Sequence, residues 1–167
     1  KRRTRASIAR EKGLEPLAAA ILSARTSSPA LEALAKPYID PEKGVETAED
    51  ALAGAGDIIV EDLSDDANLR GRLRALLHRT GVLKTIGTDE DDTVYAMYHD
   101  FSEPVRRLQS HRVLAINRGE KEGKLKVALE ADENEAIAAV TRAALHPRNP
   151  FGDWLRAVCA DSWNRLL

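Results

Sequence analysis

The chain has 167 residues, 43% of them hydrophobic, 31% charged and only 4% aromatic, with a formal net charge of -2. That length allows one domain with a substantial core, or two small helical subdomains. The single cysteine, Cys159, excludes an intrachain disulfide, and no apolar run approaches the roughly 20 residues of a membrane span.

Ala and Leu dominate the apolar fraction, which suits packed helices better than a β-sandwich. With no disulfide framework and nothing resembling a secretory signal, a reducing, cytoplasmic compartment is expected. The chain starts Lys1-Arg2-Arg3-Thr4-Arg5 without an initiator Met and ends at Leu166-Leu167, inside a predicted helix. Both ends read as cut, so an internal fragment of a larger multidomain protein is expected.

In chain order, residues 5–10 form a short helical stretch that Gly13 is placed to stop. Pro16 suits a first helical turn, and Leu17, Ala18, Ile21 and Leu22 follow at helical spacing. Ser28-Pro29 repeats that start signal ahead of Leu31, Leu34 and Ala35, and Asp40 to Gly44 is turn-rich. The strongest helix begins at Thr47, which has the capping-box spacing to Asp50. Its apolar stripe is Ala48, Ala51, Leu52, Ala55, Ile58, Ile59 and Leu63, with the small residues Gly54-Ala55-Gly56 permitting a close helix approach. Ser64 is read as the cap of the next helix, whose buried face is Leu69, Leu73, Leu76 and Leu77 and which Gly81 ends.

Residues 81–86 read as a strand, and residues 124–130 alternate as a second one. Val94, Met97, Tyr98 and Phe101 between them have helical spacing, and a helix capped by Ser110 is predicted to run through Val113 and Leu114 to Gly119. Two more helices follow, one through Ile137, Val140 and Leu145, the other through Phe151, Trp154, Leu155 and Val158, separated by Pro147 and Pro150. The expected fold is mainly α, a multi-helix bundle with a small two-stranded β element pairing 81–86 with 124–130. The whole chain reads as one helical region. It subdivides into helical 1–80, helix plus sheet over 81–146, and the start of helices leading to a next domain over 147–167. Fraying, with Trp154 or Trp163 partly exposed, is expected in that last segment.

Charge falls in blocks. From Asp40 to Asp66 there are ten acidic residues against Lys43 alone; from Ala67 to Lys84 the sign reverses, with Arg70, Arg72, Arg74, Arg79, Lys84 and no acid. Arg106 to Lys126 carries seven Lys and Arg against Glu120 and Glu122, and four of the first five residues are basic. One reading is of solvated helix faces whose acidic and basic members attract each other. The other is a basic surface that contacts phosphates through Arg2, Arg3, Arg5, Arg112, Arg118, Lys121 and Lys124 without reading bases. Aromatic residues are nearly absent there, so base stacking is not expected.

No catalytic or metal constellation emerges. His99, Asp100, Glu103 and His111 are expected to form at most a polar cluster at a helix junction, and Cys159 has no neighbouring ligand in sequence. Ser110-His111 are adjacent on a helix and point in different directions. No enzyme, no cofactor and no small-molecule substrate are expected.

Several of these stretches, in this order, resemble the Tex family of bacterial transcription accessory proteins: Lys1-Arg2-Arg3-Thr4-Arg5-Ala6, Gly13-Leu14-Glu15-Pro16-Leu17-Ala18, Thr47 to Ala55, Asp57-Ile58-Ile59, Phe101-Ser102-Glu103-Pro104 and Ser110 to Ala115. The most specific is Asn117-Arg118-Gly119-Glu120-Lys121-Glu122-Gly123. The resemblance implies a helical segment before Lys1. After Leu167 it implies an RNase H-like domain, helix-hairpin-helix motifs and an OB-fold RNA-binding domain. This chain would then be a scaffold and nucleic-acid-contacting region, with RNA or DNA bound mostly through domains absent here. The alternative is a protein–protein module docking the transcription machinery or other domains of its own chain. Gly56 departs from a frequent Arg and His99 from a frequent Phe, and the resemblance carries no catalytic residue onto these positions.

Overall fold

The computed structural model describes residues 2–163. Lys1 and the expected helical end at Leu166-Leu167 lie outside the described residues. The chain divides into two compact units, one formed by residues 1–70 and 134–167, the other by 71–133. The division falls within a helix.

In the first unit, α1 (Arg5–Glu11) and α2 (Glu15–Ser23) are separated by Gly13 at φ 76°, and the short α3 (Leu31–Ala35) follows. α4 (Ala48–Asp65) is the organising element. Its Ala51, Ala55, Ile58, Ile59 and Val60 are buried, together with Leu14, Leu17 and Ile21 from the α1–α2 region. The two glycines of α4 serve two neighbours. A Cβ at Gly54 would collide with Leu14, and one at Gly56 would lie 3.1 Å from Val158. The close approach expected of Gly54-Ala55-Gly56 is therefore realised. Position 56 is buried, so the missing Arg there is not a surface charge. α7 (Glu133–Ala144) and α8 (Gly152–Asp161) complete the unit, burying Ala136, Ile137, Val140, Leu155 and Cys159. Each fully buried Leu or Ile side chain stabilises by about 1.5–3 kcal/mol.

Thr47 caps α4, its Oγ1 accepting from the Asp50 N–H at 3.1 Å, while the Asp50 carboxylate accepts from the N–H of Glu46. Ser64 is no cap. It lies inside α4 and donates back to the Glu61 carbonyl, and Asp66 accepts from the Leu69 N–H ahead of α5 (Ala67–Thr80). An ionised carboxylate suits that position, close to the positive end of a helix dipole. Likewise Ser28 does not start α3, whose N-cap is Ala30.

The second unit holds β1 (Val82–Gly87), β2 (Asp100–Pro104), α6 (Ser110–Lys121) and β3 (Leu125–Glu130). The predicted partners are paired, β1 with β3, antiparallel, with Thr85 opposite Val127. The sheet is three-stranded rather than two-stranded, in the order β2-β1-β3, with Thr85 also opposite Phe101. The helix expected through Val94, Met97, Tyr98 and Phe101 does not form. The Asp92 carboxylate takes the N–H groups of Val94 and Tyr95, a single 3-10 turn runs over Ala96–Tyr98, and Phe101 is already in β2. Val94 and Met97 are exposed, and Tyr98 and Phe101 pack edge to face in a core with Tyr95, Ile116 and Leu125. Pro104, which has no N–H to donate, ends an edge strand.

α6 also differs from expectation. Its N-cap is Gln109, not Ser110, and it passes through Gly119 to Lys121. The chain stops at Gly123, φ 75°, where the Lys124 N–H reaches the Gly119 carbonyl and the Gly123 N–H reaches that of Glu120. This is the Schellman pattern, which needs a left-handed residue after the helix. The buried positions of α6 are Ile116 and Gly119, whereas Val113 and Leu114 are exposed, Leu114 at 68%.

Candidate nucleic-acid interface

The predicted basic residues are divided between the two units. Arg2, Arg3 and Arg5 belong to the first, and Arg112, Arg118, Lys121 and Lys124 to the second.

In the first unit, Thr4 and Ser7 form a reciprocal capping box at the start of α1, and Thr4 Oγ1 donates to Glu61 at 2.9 Å. This fixes the basic N-terminus beside the acidic α4. Arg3 pairs with Glu11 at 3.1 Å, and Arg10 reaches Asp62 at 2.8 Å and Glu61 at 3.4 Å. Arg5 lines a recess of about 560 Å³ together with Glu61, Asp65 and Asp161. Acidic and basic helices thus attract each other in this unit, and the field around Arg5 is unfavourable for a phosphate. Arg10, the main cation in this network, was not among the predicted residues. Besides Glu15, its partners Glu61 and Asp62 lie more than fifty positions away, which block-level charge counting does not register.

In the second unit, the end of α6 is held by several bonds. Thr88 donates its hydroxyl to the Gly123 carbonyl at 2.6 Å and its N–H to that of Lys124. Lys124 Nζ lies 3.3 Å from Asp89, whose carboxyl is held below the usual range by the N–H of Asp91 and by Lys124. The Tyr95 hydroxyl donates to Glu122 at 2.8 Å, and burial together with that carboxylate raises its pKa. Arg112 lies over the Phe101 ring at 5.5 Å, a cation–π contact. Arg118 and Lys121 are exposed in the last turn of α6, where cations complement the helix dipole, and neither makes an ion pair among the described residues. By helical spacing they share a face with His111 and the exposed Leu114. The structure therefore brings Arg118, Lys121 and Lys124 together around one rigid turn and directs Arg112 elsewhere, onto the core.

The expected convergence of His99, Asp100, Glu103 and His111 is replaced by a different pair. His99 Nε2 lies 3.0 Å from Asp92, and that bond is the main reason the Asp92 carboxyl is held low. Glu103 lies in β2 opposite Leu83, and His111 is exposed at the start of α6. Among the described residues no group of three metal-ligating side chains converges. No described helix is long and apolar enough to cross a membrane.

The family model described as Tex central region-like matches residues 25–167. The chain belongs to the Tex family. It is 41% identical to Protein tex of Bordetella pertussis over its whole length, which is 23% of that protein. It is 39% identical to the transcriptional accessory protein Tex of Neisseria gonorrhoeae, over 78% of this chain and 17% of that one. It is 30% identical to the human S1 RNA-binding domain-containing protein 1, over 70% of this chain and 12% of that one. The chain thus spans about a quarter or less of the length of these Tex relatives. The matched stretch includes the whole Asn117 to Gly123 motif. The structure explains that motif in part: Gly119 admits Leu125 and Tyr95, and Gly123 supplies the left-handed residue of the Tex turn.

Proposed function

We propose that this Tex region is a helical scaffold that also contacts nucleic acid directly, through the phosphate backbone and without catalysis of its own. The observation that carries the reading is the exposed end of α6, where Arg118 and Lys121 stand without ion-pair partners beside the anchored Lys124. Two cations on a turn fixed by the Schellman bonds need little ordering on binding, and point charges of this kind recognise phosphates irrespective of sequence. The names of the relatives, a transcriptional accessory protein and an S1 RNA-binding protein, fit an RNA or DNA partner, reached mostly through other parts of the full-length protein; a cytoplasmic setting is part of the same proposal.

The test is a titration with fluorescent single- and double-stranded RNA and DNA at two salt concentrations. Arg118→Gln and Lys121→Gln should each weaken binding alike for all sequences and lower the salt slope by about one. Loss confined to particular sequences, or no binding at low salt, would remove the reading.

The exposed Leu114 beside Arg118 favours a second reading, in which this face docks an acidic, amphipathic segment of the transcription machinery or of the same chain. Capture of a partner that survives nuclease treatment and is lost in Leu114→Ser would support it.

A further inference from the structure

The first unit carries a cationic recess that neither the charge blocks nor the family motifs mark. Two loops form it, the one after α2 and the one between α7 and α8. Its volume is about 650 Å³, within the roughly 300–1,000 Å³ typical of ligand sites, and it is lined by Arg25, Thr26, Ser27, His146 and Arg148. None of these residues is acidic.

Both loops are fixed by bonds that leave several donors of the lining residues unused. Arg25 Nη1 donates to the carbonyls of Ser23 and Ala24, at 3.1 and 2.9 Å, and Ser28 Oγ accepts the Arg25 N–H. That leaves the other guanidinium nitrogens of Arg25 available. Asn149 ties the second loop to the end of α2, its Nδ2 donating to the Ile21 carbonyl at 2.8 Å, while its Oδ1 accepts from the Phe151 N–H. His146 Nδ1 accepts the Arg148 N–H at 3.1 Å, which assigns the proton of the neutral ring to Nε2 and makes that nitrogen a donor. The hydroxyls of Thr26 and Ser27 and the guanidinium of Arg148 make no hydrogen bond or ion pair among the described residues. His146 also lines a neighbouring recess with Arg142 and Arg156, of which Arg156 is paired with Asp153.

A recess that gathers two arginines, two hydroxyls and an imidazole N–H, with no acceptor side chain of opposite charge, matches a tetrahedral anion. No Phe, Tyr or Trp lines the recess, so it has no large aromatic platform of the kind that single-strand binders use for bases. We propose that this recess is a phosphate-binding site, which takes a phosphate group of a nucleotide or of a nucleic-acid backbone and does not read the base. It is independent of the α6 surface and lies in the other unit.

The test is an NMR titration of the chain with inorganic phosphate, with a short oligouridylate and with an oligoglutamate of equal charge. Amides of residues 25–28 and 146–149 should shift together and saturate. Tighter binding of the oligouridylate than of phosphate would identify the backbone as the source, and equal binding a lone phosphate group; both support the site. Arg148→Gln, which removes no internal bond, should weaken binding about tenfold, as should Arg25→Gln, while Lys36→Gln, at an exposed cation outside the recess, should leave it unchanged. Shifts scattered over all exposed cations, or affinity indifferent to Arg148→Gln, would overturn the proposal. Oligoglutamate binding to these loops as tightly as RNA would overturn it in favour of an acidic protein segment.

Discussion

Replacing Gly119 by Ala sets two effects of opposite sign against each other. Gly119 is within α6, so Ala should stabilise by about 1 kcal/mol through helix propensity. The added Cβ would lie 2.5 Å from Leu125 Cδ1, 2.9 Å from its Cγ and 3.1 Å from Tyr95 Cδ1, all in the buried core of the second unit. Overpacking of that kind costs about 1–3 kcal/mol. The net result should be a loss of about 1 kcal/mol. In a Leu125→Ala background only the Tyr95 contact at 3.1 Å is left, and the same change should fall between neutral and a gain of about 1 kcal/mol, a coupling of about 1–2 kcal/mol. Urea unfolding followed by circular dichroism, with hydrogen exchange of the β1 amides, measures both. Additivity within about 0.5 kcal/mol would refute the packing argument, because contacting residues should couple by more than that. Gly123→Ala makes a contrast: nothing surrounds its Cβ, but its φ of 75° should cost about 1–2 kcal/mol irrespective of Leu125.

Thr47→Ala should destabilise the first unit by about 1 kcal/mol, read from the urea midpoint, because the Asp50 N–H loses its acceptor. Leu155→Ala, at a fully buried position of α8, should cost about 2–5 kcal/mol, and a loss under about 1 kcal/mol would show that α8 is not part of the core. Burial pushes the Cys159 thiol from 9.0 up to about 11, so the folded state favours the neutral form. Stability should therefore be intact below about pH 9 and fall towards pH 11 more steeply than in Cys159→Ala, with Ellman's reagent reacting only on unfolding. The Asp92 carboxyl is held below 3.8 mainly by His99, so its contribution is present above that value and lost as pH falls through it. Acid titration of stability should be shallower in Asp92→Asn than in the wild type.

The helices were legible where start signals, period and stop signals agreed, as with Thr47 and the Ala51–Ile58–Ile59 stripe of α4. β2 was not. Val94, Met97, Tyr98 and Phe101 have helical spacing by coincidence, and a carboxylate turn at Asp92 diverts the chain before a helix can nucleate. The strand then exists because β1 offers it a free edge, which is tertiary information. Glycines misled for a related reason. Gly119 and Gly123 both follow the apolar part of α6, and only packing against Leu125 distinguishes a contact glycine from a stop glycine. Charge was legible as blocks but not as pairings: Arg112 is stacked on Phe101, Arg10 is bound by α4, and Arg118 is left exposed, all from equally basic stretches. Arg25 and Arg148 meet at one recess from opposite ends of the sequence.

The first unit is assembled from two stretches of chain with the whole of residues 71–133 between them. Its central helix presents Gly56 to Val158 and Trp154, about a hundred residues later. On a ribosome adding roughly 5–20 residues per second, α1 to α4 would wait on the order of 5–20 s before α8 emerged to cover that face. The nascent protein would spend that interval with an uncovered apolar groove along α4, long enough for chaperone capture. Substitutions that slow elongation between α4 and α8 should lower the yield of folded protein without altering its final stability.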